Sequence, residues 1–201
     1  MKVIAINGSP RPKGNTEVLL NLMLDIFRAE NWESEYFRIG AKPMQGCLAC
    51  MKCFANKNMR CMNDKDDFND IATKCFAADV ILLGSPVYFT SMTAELKAFT
   101  DRLGLVGIAN DRALSGKIGG AVVAARRGGA THVFDSLNHV FQISRMIIPG
   151  STYWNFAIGL NPGEVENDAE GLHNIQDLAQ TILWLSNAIK SYGKPFPLES
   201  K

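Results

Sequence analysis

Four of the chain's five cysteines fall between Cys47 and Cys61, spaced Cys47-x2-Cys50-x2-Cys53-x7-Cys61. Three thiols at steps of three, with a fourth further on, crowd several sulfurs around one small volume. Runs of this type hold a cubane iron–sulfur cluster. Structural zinc more often takes two separated C-x2-C knuckles; one is complete here, and no histidine is nearby. Free or redox-active thiols are the third reading. Nothing marks the chain as secreted, so disulfides are not expected. Lys52, Lys57 and Arg60 interleave with the thiols; they could draw in an acidic electron donor, and a solvated loop accounts for them equally well. The fifth cysteine, Cys75, falls on the apolar face of a predicted helix and reads as core.

A second constellation lies near the N-terminus, in Asn7-Gly8-Ser9-Pro10-Arg11-Pro12-Lys13-Gly14-Asn15-Thr16. A Walker loop needs four residues between its glycines and a lysine before the hydroxyl residue. Here Asn15 stands where that lysine would be, and the glycine spacing is longer by one. The dinucleotide fingerprint G-x-G-x-x-G is absent too. What fits is a cradle for one monophosphate. It would be built from the Ser9 and Thr16 hydroxyls, the Asn15 amide, the Arg11 guanidinium and the free N–H groups of a helix start. A plain strand–helix turn capped by Asn15 or Thr16 is the alternative.

Two more strand ends carry suitable chemistry. Gly84-Ser85-Pro86-Val87-Tyr88-Phe89 ends a run of apolar residues with aromatics and free backbone groups, which suits a flat heteroaromatic ring. Arg126-Arg127-Gly128-Gly129 combines positive charge with backbone that a ring edge can approach; a solvated basic turn explains it as well.

These loops must be held by regular elements. Lys2–Asn7, Glu35–Ile39, Asp79–Gly84 and Lys117–Ala125 read as strands. Ile147–Gly159 reads as mixed extended chain. Helical stripes recur through Val18–Ile26, Asp67–Phe76, Ala94–Leu105, Thr131–Ile143 and Asn174–Ile189. Strands thus alternate with helices, and they are apolar without a period of two. Strands covered on both faces look like this, so a doubly wound parallel sheet is expected. Residues 1–192 read as a single domain with a cysteine-rich insertion at 41–64, followed by an extended tail at 193–201. The acidic stretch Asn161–Gly171 reads as a solvated connection.

Composition narrows the function classes. The chain has 201 residues, 47% hydrophobic and 20% charged, with 21 Lys+Arg against 20 Asp+Glu. Such a chain buries roughly 70% of its unfolded surface without disulfide help. Near-zero net charge gives nucleic acid no electrostatic purchase. No apolar run approaches the roughly 20 residues of a membrane span, and no secretory signal is visible, so a cytoplasmic protein is expected. No H-E-x-x-H or G-x-S-x-G pattern occurs. His132 and His139 share a predicted helix face without a third partner, and no amino-acid nucleophile or general base is assigned.

Gly8-Ser9-Pro10-Arg11 with Gly14-Asn15-Thr16, Gly84-Ser85-Pro86-Val87-Tyr88, and Ala94-Glu95-Leu96-Lys97-Ala98-Phe99-Thr100-Asp101-Arg102 together resemble the NADPH-dependent FMN reductase family of flavodoxin-like proteins. The resemblance runs to about Gly129. It implies a five-stranded parallel sheet in order 2-1-3-4-5 with FMN at the strand ends. The phosphate would lie at Ser9, Arg11, Asn15 and Thr16, and the isoalloxazine ring against Pro86, Val87, Tyr88 and Phe89. By position, Arg126, Arg127, Gly128 and Gly129 would face the pyrimidine edge. With Cys47, Cys50, Cys53 and Cys61 included, the pattern resembles the iron–sulfur flavoproteins, a branch with a compact cysteine motif after the second strand. That implies electron transfer: NAD(P)H or a ferredoxin-type donor supplies electrons, a 4Fe–4S cluster and FMN carry them, and a small acceptor such as a quinone, flavin or oxygen species receives them. A homodimer or homotetramer is implied as well, with Tyr153, Trp154 and Phe156 as interface or core candidates. Two other classes stay open: a non-enzymatic electron carrier or redox sensor, and an interaction module pinned by zinc.

Overall fold

The computed structural model describes residues 1–197; the last four residues of the expected tail lie outside the described residues. Five parallel strands form one sheet in the order β2-β1-β3-β4-β5. They are β1 (Lys2–Asn7), β2 (Glu33–Arg38), β3 (Val80–Pro86), β4 (Ile118–Ala125) and β5 (Phe156–Ile158). The sheet order is the flavodoxin-like one, and the cysteine-rich stretch follows β2.

Alternation along each strand sends neighbouring side chains to opposite faces. Val3, Ala5, Val80 and Leu82 point to one face. There they meet α1 (Asn15–Ala29) and α6 (Ala169–Tyr192) through Leu20, Leu24, Leu178 and Ile182. Ile4, Ile6, Ile81 and Leu83 point to the other face, toward α3 (Phe68–Ala77), α4 (Ala94–Ala109) and α5 (Ala130–Ile143). Each fully buried Leu, Ile or Phe contributes about 1.5–3 kcal/mol, so both layers are needed and the sheet has no wet face. Cys75 lies in the second layer, fully buried. Desolvation pushes its thiol up to about 12, which keeps it protonated and inert.

Several boundaries differ from expectation for local reasons. The last helix starts at Ala169 rather than Asn174, because the Asp168 carboxylate accepts the Gly171 N–H at 3.0 Å and caps it. The acidic stretch before it is more than a solvated connection. It contains a short 3-10 helix, Glu164–Asn167, with Val165 fully buried. The fifth strand is broken: Ile147 bridges Ile118, and pairing resumes only at Phe156 opposite Val123. Residues 148–155 bulge from this edge and expose Tyr153 and Trp154, while Phe156 is half-buried. The tail folds back, with the Arg145 guanidinium donating to the Pro197 carbonyl at 2.9 Å. A short helix, α2 (Lys52–Asn56), interrupts the cysteine-rich stretch. Among the described residues no helix is long and apolar enough to cross a membrane.

Candidate functional site

The loop after β1 is organised from beneath. Asn7 is fully buried; its amide nitrogen donates to the Tyr36 hydroxyl at 2.8 Å, and its amide oxygen accepts the Ser9 N–H at 2.7 Å. Arg38 donates to the Pro10 carbonyl at 2.9 Å. The Thr93 hydroxyl donates to the Gly8 carbonyl at 2.9 Å. The loop backbone is therefore held without any ligand. At its exit, α1 begins with no side-chain cap on its first turn. Thr16 is 1% exposed, yet its Oγ1 has no partner, and neither has the buried Asn15 Oδ1. Buried polar groups without partners cost about 1–3 kcal/mol each. The Thr16 hydroxyl, with a proton to donate beside an uncapped helix start, fits a missing oxyanion; the Asn15 Oδ1 is an acceptor and calls for a donor instead. Arg11 is exposed and donates to the Leu160 carbonyl at 3.1 Å, so the chain after β5 also leans on this loop. Glu164 stiffens that segment, accepting the Leu160 and Asn161 N–H groups at 2.7 and 2.9 Å; these bonds hold its carboxyl below the ordinary range.

The expected ring site is a different kind of surface. After Pro86 the chain makes a two-residue turn, with Tyr88 and Ser91 exchanging backbone hydrogen bonds at 2.9 and 3.0 Å. Phe89 and Thr90 both have positive φ, 47° and 63°, as a mirror-image turn demands. That turn throws Phe89 into solvent, 104% exposed, with Tyr88 beside it at 42%. The Arg126–Gly129 loop packs directly against it. Gly129 has φ of +86°, and a Cβ there would stand 2.9 Å from Val87 Cγ1 and 3.2 Å from Thr90 Cα. Val87 and Gly129 are thus brought together, while Arg126, Arg127 and Gly128 are exposed at the rim.

All four thiols of the cysteine loop line one cavity of about 390 Å3, together with Leu48, Met51, Met62, Leu105, Val106 and Arg102. Cys47 and Cys50 are exposed, Cys61 is half-buried and Cys53 is buried. Desolvation pushes the Cys53 thiol up, and the neighbouring Cys61 and Cys47 push the same way. Ala49, Met51, Lys57 and Met59 all have positive φ, between 46° and 61°. Non-glycine residues in this region carry strain that surrounding contacts must hold in place. Asn69 does part of that: its amide oxygen accepts the Cys61 N–H at 2.8 Å and its amide nitrogen donates to the Cys61 carbonyl at 3.0 Å. Among the described residues no three His, Cys, Asp or Glu side chains converge tightly enough for a single metal ion. Four cysteines on the wall of one cavity are a donor set whose softness suits iron–sulfur chemistry.

The family model for NADPH-dependent FMN reductase matches residues 1–160. The chain belongs to this family. Among curated relatives, an iron–sulfur flavoprotein of Methanocaldococcus jannaschii is 34% identical over 197 residues, covering 94% of this chain and 100% of that protein. An iron–sulfur flavoprotein of Methanosarcina thermophila is 32% identical over 184 residues, covering 90% and 93%. Among solved structures, the Trp repressor binding protein from Bacillus subtilis has a TM-score of 0.65 at 18% identity, covering 88% of this chain and 96% of that one.

Seen as an NADPH-dependent FMN reductase family member, the chain has its strand-end loops where the sequence placed them. Ser9, Asn15 and Thr16 lie on the connection from β1 into α1, with Arg11 exposed on the same loop. The sequence missed the roles of four contributors. Asn7 and Tyr36 form the floor of the loop, and nothing in strand-like residues signals that. The Leu160 carbonyl is backbone and has no residue signature. Arg102, quoted above only as part of a helical motif, proves to be 1% exposed and a wall of the cysteine cavity.

Proposed function

We propose that this chain is an FMN-dependent oxidoreductase in which the loop Cys47–Cys61 holds a 4Fe–4S cluster and the β1 loop holds FMN. Ser9, Asn15, Thr16 and Arg11 would bind the phosphate. Pro86, Val87, Tyr88 and Phe89 would border the ring, and Arg126, Arg127, Gly128 and Gly129 its polar edge. Cys47, Cys50, Cys53 and Cys61 would ligate the cluster. When bound, flavin and cluster supply two-electron and one-electron transfer. The protein's part is to hold and orient them. The uncapped α1 start and Arg11 supply positive potential for a phosphate. The exposed Phe89 turn leaves the ring region open to NAD(P)H, to a ferredoxin-type donor, or to a small acceptor such as a quinone, flavin or oxygen species. A cytoplasmic homodimer or homotetramer fits this reading, with residues 1–192 as its FMN-binding domain.

The observation that carries the proposal is the connection between the two sites. Ile39 N–H donates to the Asn7 carbonyl at 2.9 Å, and Gly40 N–H approaches the same oxygen at 3.4 Å. The base of the cysteine loop is thereby fastened to the start of the phosphate loop. A Cβ on Gly40 would stand 2.0 Å from the Gly8 carbonyl oxygen, so the two backbones touch. Anoxic purification tests the proposal. About one FMN and about four each of iron and sulfide per chain are expected. Steady-state oxidation of NADPH and NADH, compared with reduction by a ferredoxin, identifies the donor; an NAD(P)H-inert protein that exchanges electrons with ferredoxin is a carrier.

A further inference from the structure

Arg102 sits on the inward face of α4 among Phe99, Leu103 and Val106, where helical periodicity calls for an apolar residue. Its side chain has 0% exposure and that of Asp66 has 4%. One nitrogen, Nη1, donates to Asp66 Oδ2 at 2.6 Å and to the Gln45 carbonyl at 3.1 Å. The other, Nη2, donates to the Asn63 carbonyl at 2.7 Å. The guanidinium lies 4.0 Å from the Phe68 ring centroid. Gln45 immediately precedes the first thiol segment and Asn63 follows the last. Asp66 closes the same circuit by accepting the Gln45 N–H at 2.9 Å. One planar fork therefore ties both ends of the segment that carries four cysteines. Its Nε is buried with no partner, and the residue lines the thiol cavity.

We propose that Arg102 is the positioning residue of the cysteine loop, fixing its two ends and placing a permanent positive charge on the wall of the thiol cavity. A buried cation with an ion pair and apolar neighbours is expensive to desolvate. Packing alone would favour a leucine at this position, so the charge is retained for what it holds. Lysine is no substitute, because an ammonium cannot span two carbonyls and a carboxylate in one plane. The positive charge also favours the more reduced state of whatever the four thiolates carry. This electrostatic half rests on the cluster assignment above; the positioning half does not.

The test uses the full chain as Arg102→Gln, Arg102→Lys and wild type. In metal-free, reduced protein with FMN added, each cysteine is followed by iodoacetamide labelling and mass spectrometry. Cys53 is expected to react at least tenfold faster in both variants, with Cys75 still protected in the core. In anoxically loaded protein, Arg102→Gln should lower the cluster potential by about a tenfold change in the reduction equilibrium, 59 mV for one electron. Arg102→Lys should recover most of that shift. Unchanged Cys53 labelling, or Cys53 and Cys75 rising together, overturns the positioning role. An unchanged potential in Arg102→Gln overturns the electrostatic one. Selective exposure of Cys53 in a chain whose wild type takes up no iron leaves the positioning role standing and removes the cluster. If Arg102→Gln does not fold, Asp66→Ala supplies the labelling comparison, because it removes the side-chain oxygen that accepts from both Arg102 and the Gln45 N–H.

Discussion

The phosphate loop and the cysteine loop begin at adjacent strand ends and are held by opposite means. The phosphate loop is short and clamped by strands on both sides. Its backbone bonds run to Asn7, Arg38 and Thr93, and its unpartnered Thr16 hydroxyl points to a missing acceptor. The cysteine loop is long and exposed, with four non-glycine residues at positive φ. It is held by side chains reaching into it, Arg102 at its ends and Asn69 at Cys61. The first region is preorganised by the fold. The second depends on a few polar contacts and on whatever its thiols bind, so of the two it opens at lower cost.

The largest expected effect separates the two. Cys53→Ser should remove all iron while FMN affinity stays within twofold, measured by metal analysis and flavin fluorescence. Gly40→Ala should do the reverse and damage both together. Its Cβ has nowhere to go against the Gly8 carbonyl, so a stability loss of about 1–3 kcal/mol is expected. Flavin and iron content should fall in parallel, and an intact flavin site in Gly40→Ala would disprove the contact between the regions. Thr16→Val comes next. Losing one hydrogen bond to a charged phosphate costs about 1.5–3 kcal/mol, roughly 10- to 150-fold in FMN affinity, with iron content unchanged.

The pH dependence is a smaller effect. Burial pushes the Asp66 carboxyl up, but the Arg102 hydrogen bond, the Gln45 amide and the Arg102 charge together hold it below its ordinary value. A depressed carboxylate contributes stability that is complete above its unfolded value, about 3.9, and is lost as pH falls through the lower folded value. The Tm difference between metal-free wild type and Asp66→Asn should therefore be constant near neutrality and shrink in that acid window. A gap that persists below it would point to a contact other than the carboxylate charge. Smallest of all is Phe89→Ala. Full exposure leaves nothing to unpack, so stability should move by less than about 0.5 kcal/mol, while the KM of the physiological partner shifts if the ring lies there.

Much of the first region was legible in the sequence. Apolar strands without alternation announced the doubly wound sheet, and Gly-Ser-Pro-Arg with Asn15-Thr16 marked the loop between β1 and α1 that we propose as the cradle. Both are local signals tied to regular elements. The second region was legible only as a spacing of cysteines. Its main anchor is distant in the chain: Arg102 lies 36, 39 and 57 residues from Asp66, Asn63 and Gln45. A charged residue on an apolar helix face reads as exposed until the partners that neutralise it are known. The α6 start at Ala169 was missed for a similar reason, since Asp168 looked like one more acid in an acidic loop. The Leu160 carbonyl that receives Arg11 belongs to backbone and leaves no trace in residue type.

The central claim is that one chain carries a flavin and an iron–sulfur cluster in contiguous loops. The visible spectrum of the anoxically purified protein, oxidised and then stepwise reduced, tests it most directly. Two separately bleaching components are predicted, a structured flavin band and a broad cluster absorbance, with only the broad one absent in Cys53→Ser. A colourless chain that fails to take up FMN, or a wild-type spectrum of flavin alone with no broad component for Cys53→Ser to lose, would contradict it.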